Sequence, residues 1–296
     1  MTSWGAEIDA GGEQLHSGRR TLAVLETIAA QPRGVTPKQV SQTLKLHLST
    51  CYRLLNTLLA AGYVVRSPEG LFTLGRRVAY LNHRYQASVR PRPEVLAFLH
   101  ALQLATSETA ILCRLEGDEV VVTALVEGSR PDSHPGLYIG LAGPAYAFAV
   151  GRILLAGLPA AQRDAAFRRS SAAPDLPWLP RANLRALHDD CTSIQQKGYA
   201  VDSGDGNAGV CCYAAPVRDR AGIAAAVGVI APCARLRCDE ARVLPVLLEV
   251  GRAISALLIA LPEQEPGVPP ETAATVSQVA IAAAQSTIAD AMSRVT

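Results

Sequence analysis

Residues 36–64, TPKQVSQTLKLHLSTCYRLLNTLLAAGYV, constrain the fold more than any other stretch of the chain. They hold two helical patterns with only a few residues between them. The first puts Val40 and Leu44 on one face; the second puts Cys51, Leu54, Leu55 and Leu58 on one face, at the i, i+3, i+4, i+7 spacing of an amphipathic helix. Thr36 offers an N-cap, and Pro37 occupies the first helical position, where no amide hydrogen is needed. The turn KLH separates the two helices, and Gly62 stops the second. An earlier helix is expected over residues 19–30, with Leu22, Leu25, Ile28 and Ala29 in phase and a breaker at 32–34. After Gly62, YVVRSPEGLFTLG reads as two short strands around a turn at 67–70. Three helices and a hairpin predict a winged helix-turn-helix over residues 17–76, behind a flexible lead-in of residues 1–16.

In a helix-turn-helix the second helix enters the major groove of DNA, and its first turns reach base edges. Here its outward face carries Ser49, Thr50, Tyr52, Arg53 and Asn56. Arg53 can fork onto guanine or a phosphate, and Asn56 can pair with adenine or the backbone. Lys45, His47, Arg66 and the pair Arg19–Arg20 are then phosphate contacts, which hold register without reading sequence. The charge distribution agrees: residues 1–92 carry 12 Lys and Arg against 5 Asp and Glu, whereas the remainder carries 16 against 21. A basic front on an acidic back points to a polyanionic partner. The competing readings are a plain three-helix packing unit or a protein-docking surface.

Residues 77–93 are expected to form a linker helix broken by RPRP at 90–93, followed by a helix over 93–105 with Val95, Leu96, Leu99 and Leu102 as its apolar face. TAILCRL and EVVVTALVEG flank residues 116–118 as a hairpin. Helices are expected over 145–158, 183–197 and 242–261, and strands over 199–202, 209–217 and 223–230. This alternation makes residues 94–261 an α+β domain of sensor type. Residues 262–296 read as a proline-rich linker and an Ala-rich tail, with Val276, Val279, Ile288 and Met292 in loose helical phase. The tail either docks on a partner subunit or is mobile. No uninterrupted apolar run approaches the length of a spanning helix, so no membrane partner is expected. The first residues lack the apolar core of a signal peptide, and a cytoplasmic location is expected. The seven cysteines are odd in number, without a C-x-x-C pair, and at least six are expected to be reduced, mostly buried thiols.

The chain also resembles a known family. RRTLAVLETIA, RGVTPKQVSQTLKLHLSTCYRLLNTLLAAGYV and GLFTLG in the N-terminal part, and GRILLAGL with KGYAVDSGDGNAGVCCYAAPVRDRAGIAAAVGVIAP in the C-terminal part, resemble the IclR (isocitrate lyase regulator) family of bacterial transcription factors. The resemblance runs from Ser17 to about Leu261, with both signatures in the family's order. It implies an N-terminal winged helix-turn-helix, a linker helix used in dimerisation and a GAF-like α/β effector-binding domain. It also implies binding to palindromic DNA as dimers or pairs of dimers, in response to small organic acids or aromatic compounds from catabolism.

A pocket for such a metabolite needs apolar walls and a few convergent polar groups. Asp202 ends one strand, GDGNAG reverses the chain, and Val210 and Cys212 share a face of the next strand. From the residues alone, Cys212 reads as a core thiol and Asp202 as a strand-end turn former. The resemblance assigns Asp202, Val210 and Cys212 to the effector site, with the backbone amides of Ala149 and Val150 ahead of Gly151–Arg152. Amides at a helix start suit a carboxylate. Where the family commonly has two alternating serines this chain has Gly228 and Ile230, its usual Lys is Arg152, and its usual Glu is Asp205. Losing both hydroxyls is expected to make the pocket roomier and less polar, and so to favour a larger or aromatic effector.

The main rival of a different class is a thiol hydrolase using Cys212, Asp202 and a histidine. The chain holds no G-x-S-x-G, H-E-x-x-H or Gly-rich phosphate loop, and its six histidines show no spacing that argues for a base. No enzymatic activity, cofactor or metal is expected. A docking scaffold that has abandoned DNA is the second rival.

Overall fold

A computed structural model describes residues 16–130, 136–171, 182–202 and 209–260. The glycine-rich loop with Asp205, most of the lead-in, and the linker and tail after residue 260 lie outside the described residues. The chain divides into two compact units, Met1–Ser88 and Val89–Thr296.

The first unit begins with three helices, α1 (His16–Ala29), α2 (Pro37–Leu44) and α3 (Leu48–Ala60). Val24, Ile28, Val40, Cys51, Leu55, Leu58 and Phe72 meet in its core. Thr36 starts α2 with a reciprocal capping box: its Oγ1 accepts the Gln39 amide at 3.3 Å, and its own amide donates to Gln39 Oε1 at 2.7 Å. Lys45 ends α2 in the left-handed conformation (φ 51°), and Ser41 Oγ donates to the Leu46 carbonyl at 2.6 Å across the turn. These bonds hold the connection between α2 and α3 short. Strands β1 (Val64–Arg66) and β2 (Phe72–Leu74) pair antiparallel, and Val35 bridges to Phe72 on their flank. The expected wing is therefore present. Helix α4 (Arg76–Val89) buries none of its residues and leaves Tyr80, Leu81 and Tyr85 exposed. It stops before the expected linker limit of 93, because Pro91 disfavours helical backbone at Arg90.

The second unit is built on a fully antiparallel sheet of six strands in the order β5-β4-β3-β8-β7-β6. These strands are β3 (Thr109–Glu116), β4 (Glu119–Val126), β5 (Ala142–Pro144), β6 (Ala200–Asp202), β7 (Val210–Arg218) and β8 (Ile223–Pro232). Alternation splits their side chains between two cores. Cys211, Tyr213, Ala215 and Val217 of β7 pack with Val227 and Val229 against α5 (Pro93–Thr106) and α10 (Glu240–Ala260). Cys212 and Ala214 pack with Ile111 and Ala226 against α6 (Ala149–Ala156), α7 (Ala160–Ser170) and α8 (Leu184–Lys197). The sheet is thus covered on both faces, an α+β architecture in which neighbouring residues of one strand serve different layers.

Several features differ from the sequence reading. The helix expected over 145–158 is split: a 3₁₀ turn at Ala145–Ala147 is followed by an extended Phe148 (φ −120°, ψ 146°) and then α6. This break lets Gly151 pack directly on the Ala145 carbonyl, where any Cβ would collide. By length and mean hydropathy α10 does qualify as a membrane-spanning candidate, since an average tolerates Glu249 and Arg252. It packs Val243, Val246, Leu247, Val250, Ile254 and Leu257 into the core of this unit instead. Cys211 and Cys233 form a disulfide across a Cα–Cα distance of 4.7 Å, which corrects the expectation of at least six reduced thiols. The pairing of Val210 with Pro232 brings the start of β7 to the end of β8, and the Cys233 amide donates to the Gly209 carbonyl at 2.7 Å. Cys51, Cys113, Cys191 and Cys212 are buried free thiols, and Cys238, closing α9 (Cys233–Cys238), is exposed.

Candidate functional site

In the first unit, α3 turns Cys51, Leu55 and Leu58 inward, so geometry alone leaves Ser49, Tyr52, Arg53 and Asn56 exposed and Thr50 half-buried. Tyr52 is 43% exposed. Lys45 and His47 are exposed on the preceding turn. His47 sits at the N-cap of α3 without a side-chain cap bond, so the first-turn amides receive no cap from it. That arrangement suits an external phosphate acceptor. Arg66 is exposed on the wing, with its guanidinium 5.6 Å from the Phe72 ring centroid. This contact restrains the side chain while leaving its N–H groups able to reach an anion.

In the second unit, one cross-strand row runs Asp202, Cys212, Ile230, Thr109 over β6, β7, β8 and β3. Val210 lies two residues before Cys212 on the same face of β7. Ala149 and Val150 open α6 over this face, behind Phe148, which offers no side-chain cap bond. Val150 and Cys212 both lie within 3.2 Å of where a Cβ on Gly228 would stand. The fold therefore brings Val150, Cys212, Gly228 and Ile230 together, with Asp202 at the end of the row. Cys212 is 7% exposed, and its thiol is pushed well above the ordinary range by burial first, then by the negative charge of Asp202 and by coupling to the neighbouring Cys113 thiol, against a smaller opposing pull from Arg152. Arg152 itself is engaged: Nη2 donates to the Val201 carbonyl at 2.7 Å, and Nε lies 3.4 Å from Asp190 Oδ2. It ties α6 to β6 and α8. Sequence reading missed Asp190 and Ile111; both are brought to this region by pairing and packing between distant segments, which leaves no local signal.

Residues 19–68 match the family model described as the IclR helix-turn-helix domain, and residues 86–256 match that of the C-terminal domain of bacterial IclR transcriptional regulators. The chain belongs to the IclR family. Among its IclR-family relatives, the HTH-type transcriptional regulator BhcR of Paracoccus denitrificans is 31% identical over 264 residues, covering 85% of this chain and 89% of that one. The fold is similar to that of RHA06195 from Rhodococcus sp. RHA1, with TM-score 0.66, 29% identity and coverage of 83% and 98% of the two chains. It is also similar to an IclR homolog from Microbacterium hydrocarbonoxydans complexed with 4-hydroxybenzoate, with TM-score 0.61, 22% identity and coverage of 82% and 98%.

Among IclR proteins the departure at Gly228 and Ile230 carried the expectation of a roomier pocket. The geometry corrects it. The Cβ position over Gly228 is 3.0 Å from Val150 Cγ1 and 3.2 Å from both Cys212 Sγ and Ile111 Cγ1. Neighbouring side chains have closed over the glycine, and Ile230 puts a half-buried apolar side chain in the place of a hydroxyl. This region of the IclR-family chain is less polar than a pair of serines would make it, without being larger at Gly228.

Proposed function

We propose that this IclR-family regulator binds a palindromic operator as a homodimer or a pair of dimers. Residues in the first turns of α3 read base edges, and an effector bound beside Asp202 and Cys212 changes its affinity for DNA. The observation that carries the DNA assignment is the exposed polar face of α3, with Arg53 and Asn56 outward and Cys51, Leu55 and Leu58 inward. Lys45, His47 and Arg66 flank that face and are assigned to phosphates.

The effector is a small organic carboxylate with an apolar or aromatic body, drawn from a catabolic pathway whose operon the protein controls. The α6 amides of Ala149 and Val150 would take the carboxylate; Val210, Cys212 and Ile230 would contact the body, with Gly228 shaping the site from beneath Val150 and Cys212; Asp202 would fix a polar group at the far end. The 4-hydroxybenzoate found with the Microbacterium homolog is a compound of this kind. A coupling free energy of about 1–3 kcal/mol between effector and DNA is enough for regulation. A cytoplasmic location follows from this role. Thiol hydrolysis at Cys212 is disfavoured, because burial holds the thiol protonated and a thiolate is the nucleophile.

The test is recovery of genomic fragments by the purified protein at moderate salt. Enrichment of a palindromic site beside a catabolic operon supports the reading and nominates the effector. Retention of non-specific fragments alone, with affinity falling steeply as salt rises, defeats it. Arg53→Ala should weaken binding to the enriched site by about 1–3 kcal/mol and relax its sequence preference. Unchanged affinity and preference would remove Arg53 from the reading face.

A further inference from the structure

The face of the sheet that packs on α5 and α10 is apolar over most of its extent, with Ala110, Leu112, Tyr213, Ala215, Val217, Val227 and Val229 in its core. At one edge the same alternation delivers charge. Arg114 follows Leu112 by two residues on β3 and so falls on the face toward α5 and α10, while Asp219, in the turn just beyond β7, lines the same edge. A cavity of about 300 Å³ opens there. Leu112 and Ala225 of the sheet and Val95, Ile254 and Leu258 of the helices line it, together with the charged residues Arg92, Arg114 and Asp219. This is the opposite side of the sheet from Cys212 and Gly228.

We infer that this cavity is a second small-molecule site, distinct from the one beside Asp202, and that it takes a compact monocarboxylate with an apolar body. Its volume is at the lower limit of about 300–1,000 Å³ usual for ligand pockets, which fits a single ring or a short alkyl chain. Asp219 Oδ1 already accepts the amides of Ala221 and Gly222 at 2.7 and 3.0 Å, so among the charged lining residues it is Arg114 that selects the sign of the ligand. Arg114 is exposed, so its guanidinium can turn onto a bound carboxylate while the ligand's body covers Leu112 and Ala225. The position gives such a ligand a regulatory outlet. Pro91 and Arg92 line the cavity and belong to the short connection between α4 and α5, so a ligand held there stiffens the segment that follows α4.

Benzoate is a suitable probe, titrated calorimetrically into the full chain, with benzyl alcohol as its uncharged counterpart. Arg114→Gln should lower benzoate affinity by at least about tenfold, the scale of a hydrogen bond to a charged group. Ala225→Met, which puts a larger side chain at a lining position, should remove the same heat. Asp202→Ala should leave that heat in place, which separates this site from the proposed sensing pocket. Benzyl alcohol should bind at least about tenfold more weakly than benzoate. Absence of benzoate binding up to ~10 mM overturns the inference. So does binding that Arg114→Gln leaves unchanged, that Asp202→Ala abolishes, or that benzyl alcohol matches. Should Ala225→Met fail to fold, the exposed Arg114→Gln decides alone.

Discussion

Asp202 ends a strand of only three residues, and it is half-buried beside the deeply buried Cys212. A carboxylate so placed raises the thiol pKa and offers a polar anchor at the end of an apolar row. Asp202→Ala should leave operator affinity intact and abolish the change in that affinity on adding effector, measured by fluorescence anisotropy of labelled operator. A surviving response would take Asp202 out of the pocket. Gly228 makes the opposite kind of argument, from space. Gly228→Ser should destabilise the fold by about 1–3 kcal/mol in denaturant unfolding, because Val150, Cys212 and Ile111 must retreat from its Cβ. Unchanged stability would mean those side chains yield freely, and the roomier pocket expected from sequence would be reinstated.

Among the elements, α2 shows how a cap sets a boundary. Thr36→Ala removes one half of the capping box and should cost about 1 kcal/mol of unfolding free energy, read from the urea midpoint of the first unit's transition. A loss indistinguishable from zero would mean that Gln39 alone holds the start of α2. The elements legible in the sequence were those with a long period or an explicit terminator: α2 behind Thr36–Pro37, α3 before Gly62, the wing around its turn, α8 behind Asn183 and the long α10. Those that were not legible have physical reasons. Strand β5 is three residues, AGP, and exists through pairing with β4; α7 is polar around most of its circumference, with only Ala166, Phe167 and Ser170 buried. The six-residue α9 is fixed by tertiary partners, Arg235 meeting the buried Glu108 at 2.6 and 2.9 Å. The Cys211–Cys233 disulfide joins residues 22 apart, and only the β7–β8 register reveals it. The cross-strand neighbours Asp202, Cys212 and Ile230 follow from strand register, whereas the closure over Gly228 was not legible, since it depends on side chains from three separate elements.

The molecule as a whole carries a pH signature set by groups it keeps from ionising. Burial raises the Cys113 and Cys212 thiols above their ordinary 9.0, and burial together with Glu240 raises Tyr213 from 10.0 to about 12. Each folded-state pKa lies above its unfolded value, so this stability is complete below pH 9 and is lost as pH rises, when the unfolded chain can release protons that the fold retains. Each buried thiol should contribute a decline of about 1.4 kcal/mol per pH unit above its unfolded pKa. Unfolding free energies between pH 8 and pH 10 should fall more steeply for the wild type than for Cys113→Ala; parallel declines would show that the thiol ionises equally in both states. The two-faced sheet has a consequence for engineering as well. Along β7 and β8, alternate codons specify different layers: one set, with Val210, Cys212, Gly228 and Ile230, faces the candidate sensing region, and the other packs against α5 and α10. A mutant library confined to the first set can therefore vary the candidate sensing region while every residue of the opposite layer stays as it is.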